Sequence, residues 1–235
     1  MNNRMQYYIL EKACDTKETG PAYPQIQKWK KGYDKNKSDS YYSYYRASMK
    51  GTFPDFEPDL NSLVMHGWAK PTDLVSSFLS DGFIVSAKLK LLFQQFHLPP
   101  IHYYPAKVIY KKNDLIGYYF MHIISDYTDF VDYSKSSFIA SGNFNSNPAP
   151  IILTSKKEYI EESEKLKEDF FVDKLPYRSI KSEKICFNAG FDQSLEGFKI
   201  GPFNINFYIS ENLKDALIKD SITGCDIKLT DDVTI

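Results

Sequence analysis

Cysteine is scarce in this sequence, and long apolar runs are missing. The three cysteines, Cys14, Cys186 and Cys225, lie far apart and form no C-x-x-C pair, which argues against a disulfide framework or a zinc ribbon. No apolar stretch approaches the roughly 18 residues of a membrane span. Residues 1–10 also lack the long apolar core of a signal peptide. We therefore expect a cytoplasmic protein that has no membrane as its partner.

A surplus of charge is missing as well. The 29 Lys and Arg residues are balanced by 30 Asp and Glu residues, so the net charge is −1. Proteins that bind nucleic acid usually carry a clustered basic surplus. We therefore expect no nucleic-acid partner.

Motifs that carry catalysis are not found either. The sequence has no G-x-S-x-G, and its glycines form neither G-x-G-x-x-G nor a Walker motif. The four histidines lack the i, i+4 spacing of zinc proteases, and His122 lies in an apolar run that predicts a hydrogen-bonded core histidine. The sequence predicts a binding protein that is not an enzyme and needs no cofactor.

Aromatic residues, in contrast, are abundant. Eighteen Tyr and 17 Phe bring the aromatic share to 16%, while 43% apolar and 25% charged residues are globular proportions. A chain of 235 residues can bury a large core without disulfides. We expect one domain over residues 1–235, with an irregular N-terminal region at 1–62 and a regular scaffold at 63–235.

Hydrophobic periodicity predicts an α+β fold with a mixed, largely antiparallel sheet and a few packed helices. The strongest strands, 103–110 and 115–124, form a predicted hairpin whose second strand is apolar on both faces and should be central. Caps and apolar stripes predict helices at 72–81, 86–96, 155–169 and 210–219. Further strands are predicted at 6–10, 83–85, 136–140, 151–154, 185–187, 198–209 and 225–229, with a loop at 141–150.

One local pattern occurs twice. Phe83-Ile-Val-Ser86-x-x-Leu89-Lys90 matches Phe207-Tyr-Ile-Ser210-x-x-Leu213-Lys214. Two interpretations are open: a common arrangement of strand, Ser cap and helix, or a duplicated structural unit. A single pair is not a periodic array, which favours the first.

The second copy of this pattern is also the part of the chain that resembles a known family. The segment 207–218, followed by 222–227, resembles the C-terminal motif of a bacterial family of immunity proteins from polymorphic toxin systems. Residues 86–90, Tyr104-Pro105, Tyr118-Tyr119 and 129–132 are similar to its middle part, and the resemblance covers roughly 65–235. It implies binding and blocking of a cognate toxin made by the same cell, with no catalytic residues.

A cluster of carboxylates follows the predicted central strand. Asp126, Asp129 and Asp132 lie within seven residues, a density of oxygen ligands that could hold Mg²⁺ or Ca²⁺. The run lacks the Gly and terminal Glu of an EF-hand loop, which favours a solvated acidic loop that could face a basic toxin. The alternative is a small metal-dependent enzyme centred on these three residues.

A second unusual cluster is aromatic. Tyr41, Tyr42, Tyr44 and Tyr45 precede Arg46, and Tyr and Arg are enriched where few residues carry most of the binding energy. The alternative is an aromatic strand with Tyr41 and Tyr45 on one face. We expect these five residues to bind the partner, while the three aspartates mainly raise the association rate.

Overall fold

A computed structural model describes residues 6–142 and 148–235. The strands in this part of the chain are Tyr7–Lys12 (β1), Ile26–Trp29 (β2), Leu63–Met65 (β3), Leu74–Val75 (β4), Gly82–Ser86 (β5), Ile101–Tyr110 (β6), Asn113–Ile123 (β7), Ser137–Gly142 (β8), Ala149–Ile151 (β9), Arg178–Cys186 (β10), Gly197–Phe198 (β11), Phe207–Ser210 (β12), Cys225–Thr230 (β13) and Val233–Thr234 (β14). The α-helices are Thr16–Thr19 (α1), Tyr41–Ser48 (α2), Ala87–Phe93 (α3), Lys156–Phe171 (α4) and Glu211–Lys219 (α5). Within the described ranges, none of these helices is long and apolar enough to cross a membrane.

The strands form three sheets, and the predicted α+β fold is confirmed. Their orders are β2-β3-β6-β7-β5-β4, β11-β12-β1-β13 and β14-β10-β8-β9. Most neighbours are antiparallel; β3 with β6 and β10 with β14 are parallel. The sheets are therefore mixed and largely antiparallel, as the sequence predicts.

Strand β7 is central in the six-stranded sheet, between β6 and β5. Phe120 to Ile123 are buried on both faces, which explains the two-sided apolar pattern. The prediction does not hold for the start of the strand, where Ile116 is 91% exposed. The hairpin with β6 extends beyond the sheet core at this end, so its tip is solvated.

Strand β1 lies between two strands from the other end of the chain. It pairs antiparallel with β12 on one side and with β13 on the other. Residues near the N-terminus therefore complete a sheet made by residues after 197. This pairing supports a single domain, which stays a prediction.

Two predictions for the N-terminal half are wrong. Residues 11–62 are not irregular throughout, because they include α1, β2 and α2. Residues 72–81 contain no helix: Leu74 and Val75 pair with β5 as strand β4. Asp73 does not cap a helix either; its carboxylate accepts hydrogen bonds from Thr223 and Ser86. A long-range contact outweighs the local pattern here.

Smaller differences between the predicted and the observed strands concern the second half of the chain. The predicted strand 198–209 consists of the short strands β11 and β12, and β10 begins seven residues before the predicted strand at 185. Strand β9 covers 149–151 in place of 151–154. Of the predicted loop 141–150, residues 143–147 lie outside the described residues.

The two similar strand–Ser–helix units are present as predicted. Ser86 caps α3 by accepting the Leu89 amide, and Ser210 caps α5 by accepting the Leu213 amide. Both leucines are fully buried in one hydrophobic cluster, where the rings of Phe83 and Phe207 also meet. The two units thus pack against each other through their apolar faces.

We expect Leu89→Ala and Leu213→Ala each to lower the free energy of unfolding by about 2–5 kcal/mol, because each leaves a cavity in this cluster. Leu91 on the same helix is 61% exposed, so Leu91→Ala is the matched control and should change stability by less than about 0.5 kcal/mol. Chemical denaturation measures all three. Equal effects at Leu89 and Leu91 would contradict the helical faces described here.

Candidate functional site

The aromatic cluster at 41–46 is helical. Ser40 caps α2 by accepting the amide of Ser43, and the helix then separates the tyrosines into two stripes. Tyr41 and Tyr44 face inward and are 5% and 1% exposed. Tyr42, Tyr45 and Arg46 follow the i, i+3, i+4 spacing of the opposite stripe. The alternative of an aromatic strand is therefore wrong.

Burial changes the set of residues that can meet a partner. Tyr41 packs against Phe120, and its hydroxyl both accepts the amide of Ser80 and donates to the Ser80 carbonyl. Tyr41 and Tyr44 are thus core residues, and their side chains are not available to another protein. The other three predicted partner-binding residues form the outward stripe, and each reaches the surface: Tyr42, Tyr45 and Arg46. Their positions are compatible with a role in binding.

A buried polar network fixes α2 to the six-stranded sheet. The Tyr44 hydroxyl oxygen lies 2.6 Å from Nδ1 of His122 and 3.1 Å from the hydroxyl oxygen of Tyr104. Tyr104 in turn lies 2.9 Å from Nδ1 of His102 at the surface. His122 is 4% exposed, which confirms the predicted hydrogen-bonded core histidine. Burial, together with the positive charge of Lys199, lowers the pKa of His122 to about 4.

Tyr42 borders a concave surface that the sequence did not reveal. Its hydroxyl accepts the indole N–H of Trp29 at 3.3 Å, and the Trp29 ring stacks on Tyr33 with centroids 3.9 Å apart. Phe78 packs edge-on against the same indole. These rings line a concavity of about 440 Å³. We call Trp29, Tyr33, Tyr42, Tyr45 and Arg46 the aromatic face.

The charged side chains that line this concavity are all basic. Three lysines, Lys28, Lys30 and Lys35, line it together with the rings, and none of its lining residues is acidic. The Lys35 ammonium lies 5.3 Å from the ring centroid of Tyr42, within the range of cation–π attraction. The only signal of this concavity in the sequence was the density of Trp, Tyr and Lys inside a region predicted to be irregular.

The acidic loop forms ion pairs with lysines. The Lys156 ammonium lies 2.9 Å from a carboxylate oxygen of Asp129 and 3.7 Å from one of Asp126. Asp132 pairs with Lys135 at 2.7 Å, and hydrogen bonds from Lys135 and Ser134 lower its pKa. Two lysines thus offset part of the negative charge of the three aspartates.

The metal-site alternative is wrong for this loop. Over residues 6–142 and 148–235, no group of three His, Cys, Asp or Glu side chains is placed to hold a metal ion. Asp126 and Asp129 converge on Lys156, whereas Asp132 points to Lys135. Spacing along the chain suggested that all three carboxylates converge, but Asp132 pairs with a different lysine from the other two.

We expect the free energy of unfolding to decrease as the pH is lowered from 7 to 5, because of His122. Its folded pKa of about 4 lies below its ordinary value of 6.5, so its contribution is complete above pH 6.5. That contribution is lost as pH falls toward 4, because the unfolded chain takes up a proton that the folded chain refuses. Between pH 7 and 5 the wild type should lose about 2 kcal/mol more than His122→Gln.

Urea unfolding at both pH values measures this difference. His97→Gln is the control, because the side chain of His97 is 55% exposed, and this variant should follow the wild type. Identical pH dependence in the wild type and His122→Gln would contradict the burial of a neutral imidazole.

Comparison with known proteins agrees with the motif resemblance and extends it. No curated protein matches the chain. A family model described as the Immunity protein family (Imm11) matches residues 7–228, so the match begins at β1 and includes α2, not only the region from about 65 onward. Immunity proteins of this kind act by binding and are typically not enzymes. The chain therefore belongs to the Imm11 immunity protein family and binds and neutralises a cognate toxin.

Proposed function

We propose that this immunity protein blocks its toxin in the cytoplasm of the cell that makes both, and that the aromatic face is the surface that contacts the toxin. The partner is a protein, not a nucleic acid or a membrane. The observation that carries this proposal is the partly exposed Tyr42, which borders a concavity with Trp29 and Tyr33. Coexpression with the protein encoded by the neighbouring reading frame tests the toxin pairing directly.

The composition of the aromatic face supports the proposal. Tyr, Trp and Arg dominate the few positions that carry most of the energy in protein complexes. Here the outward stripe of α2 supplies Tyr42, Tyr45 and Arg46, while β2 supplies Trp29. A complex of ordinary size buries about 1,200–2,000 Å², so the face would be the centre of a larger contact.

The rigid attachment of α2 to the core also supports the aromatic face as the contact surface. Tyr44 and Tyr41 anchor α2 to the core through the hydrogen bonds to His122 and Ser80. The outward side chains therefore start from a fixed backbone, and less conformational entropy is lost when the toxin binds. Because the concavity carries lysines and no acid, the complementary toxin surface is acidic at this point.

We expect the double substitution Tyr42→Ala and Arg46→Ala to weaken toxin binding by more than about 2 kcal/mol, or roughly 30-fold. The melting temperature should fall only modestly, because both side chains lie on the outward stripe and the tertiary hydrogen bond that is lost is the one that Tyr42 accepts from Trp29. Isothermal calorimetry with the toxin measures the affinity. Trp68, which is 74% exposed, provides the control Trp68→Ala, and full-strength binding by the double variant would rule out the aromatic face.

The acidic loop is proposed as a second, weaker contact that speeds association. Replacing Asp126 and Asp129 by Asn should reduce the dependence of the association rate on salt, because two charges near Lys156 are lost. The dissociation rate should stay nearly constant. Stopped-flow association at several salt concentrations measures this, and Asp215→Asn with Asp220→Asn, on and just after α5, is the charge-matched control. A changed dissociation rate with an unchanged salt slope would contradict the proposed role.

A further inference from the structure

Two lysines approach the same aromatic ring between two of the sheets. The ammonium of Lys12, at the end of β1, lies over the ring of Phe83, 5.5 Å from its centroid. The ammonium of Lys199, just after β11, lies over the same ring at 5.6 Å. Phe83 belongs to the six-stranded sheet, whereas β1 and β11 belong to the sheet β11-β12-β1-β13. The fold thus brings together three residues that are far apart in sequence.

The backbone positions of both lysines are fixed. Lys12 stands two residues after Leu10 on the same face of β1, and Leu10 is buried in the cluster against which Phe83 packs. Lys199 is held by Ser125, whose hydroxyl accepts the Lys199 N–H at 3.0 Å and donates to the Lys199 carbonyl. Both side chains therefore reach the ring from ordered strands or from a segment hydrogen-bonded next to one.

No counter-charge accompanies the two ammoniums. Among residues 6–142 and 148–235, neither ammonium makes an ion pair or a hydrogen bond. The charge of Asp81 acts on Lys199, but these two side chains form no ion pair. The remaining residues, 1–5 and 143–147, contain no Asp or Glu. A carboxylate that neutralises this pair therefore has to come from outside the chain.

Burial makes the missing counter-charge costly. Lys12, Phe83 and Lys199 are only partly exposed, and burial, together with the charge of Lys199, lowers the pKa of Lys12 from 10.5 to about 8. Burial lowers the pKa of Lys199 as well. Cation–π attraction to the ring offsets part of this cost, but charges removed from water in proteins are usually paired. Two like charges at one ring are best satisfied by an anion.

Lys214 shows the arrangement that is missing at Phe83. Its ammonium lies 4.5 Å from the ring centroid of Tyr8 and also contacts the carboxylates of Asp215 at 3.1 Å and Glu211 at 3.3 Å. The hydrogen bond to Asp215 is the main reason that the pKa of Lys214 is raised. The same chain thus supplies two carboxylates to one lysine over a ring and none to the pair at Phe83.

We propose that Lys12 and Lys199 form a binding site for an oxyanion, a phosphate or carboxylate group that accepts hydrogen bonds from both ammoniums beside Phe83. The flexible four-carbon stems let both ammoniums turn towards one ligand. Two lysines do not make the extended basic stripe that a nucleic acid needs. The oxyanion is either free in solution or an acidic side chain of the toxin, and only in the second case does the inference rest on the function proposed above.

The first test is a phosphate titration at constant ionic strength, followed by the melting temperature. About 10 mM phosphate should raise the melting temperature of the wild type by at least about 2 °C more than that of Lys12→Met with Lys199→Met. Methionine keeps an apolar stem against the ring, and the comparison cancels the general stabilising effect of phosphate. Lys90→Met, which removes an ammonium 3.9 Å from the ring centroid of Tyr119, is the control and should respond as the wild type does.

The second test reads the lysines directly and distinguishes the two sources. NMR of ¹³C-labelled lysine follows the titration of Lys12, whose pKa should rise from about 8 towards its ordinary value of 10.5, because a bound anion stabilises the ammonium. A rise with phosphate but not with the toxin assigns a free anion. A rise with the toxin in chloride buffer assigns a toxin carboxylate, and Lys12→Met with Lys199→Met should then weaken toxin binding at least about tenfold.

A pKa of Lys12 that stays unchanged with the toxin, together with equal phosphate responses of the wild type and the double methionine variant, would overturn the inference. So would a rise of this pKa that only a DNA or RNA oligonucleotide produces. The phosphate titration uses no toxin, so its result is independent of the aromatic face. Full-strength toxin binding by the Tyr42 and Arg46 variant would reject that face and leave the oxyanion site intact.

Discussion

The carboxylate of Asp73 joins parts of the protein that are far apart in sequence. It accepts hydrogen bonds from the amide and hydroxyl of Thr223 at 3.0 Å each and from the hydroxyl of Ser86 at 2.6 Å. Ser86 caps α3, and Thr223 leads into β13. The neighbouring Gly224 has φ +81° and would place a Cβ 2.0 Å from the carbonyl oxygen of Leu74, so no other residue fits there. The six-stranded sheet and the sheet that contains β1 meet at this junction, and the shared core of the two Ser-capped helices depends on it.

Buried contacts also determine which side chains face outward. The inward stripe of α2 is fixed by Tyr44 against His122, and this decides which side of the helix Tyr42 and Arg46 present. Elsewhere in the fold, Asn204 holds the loop 202–206 against β10, and the two border a groove together with α4. Both surfaces are rigid, concave and basic, in a protein with almost no net charge.

Local signals predicted part of this structure well. Ser86 and Ser210 were recognisable as caps because the capping geometry involves only three or four residues. The β6–β7 hairpin was recognisable because its strands are adjacent. The spacing of Leu74, Val75, Phe78 and Leu79 predicted a helix, yet pairing with β5 and the contacts of Asp73 impose a strand. Likewise, only the fold brings Lys156 to Asp126 and Asp129. The helix of the tyrosine run, by contrast, had a local signal in the Ser40 cap that the sequence analysis missed. The aromatic face and the groove combine residues from distant segments, which no local pattern encodes.

The position of β1 has a consequence for the order in which the sheets can form. This strand is made early, but its partner β12 starts at Phe207, 195 residues after Lys12 (207 − 12). At the usual 5–20 residues per second of synthesis, β1 waits about 10–40 s on the ribosome before it can pair. During that interval an apolar strand is exposed, and the sheet that receives it does not yet exist. The six-stranded sheet, whose strands all lie between Ile26 and Ile123, is therefore made before β1 can pair.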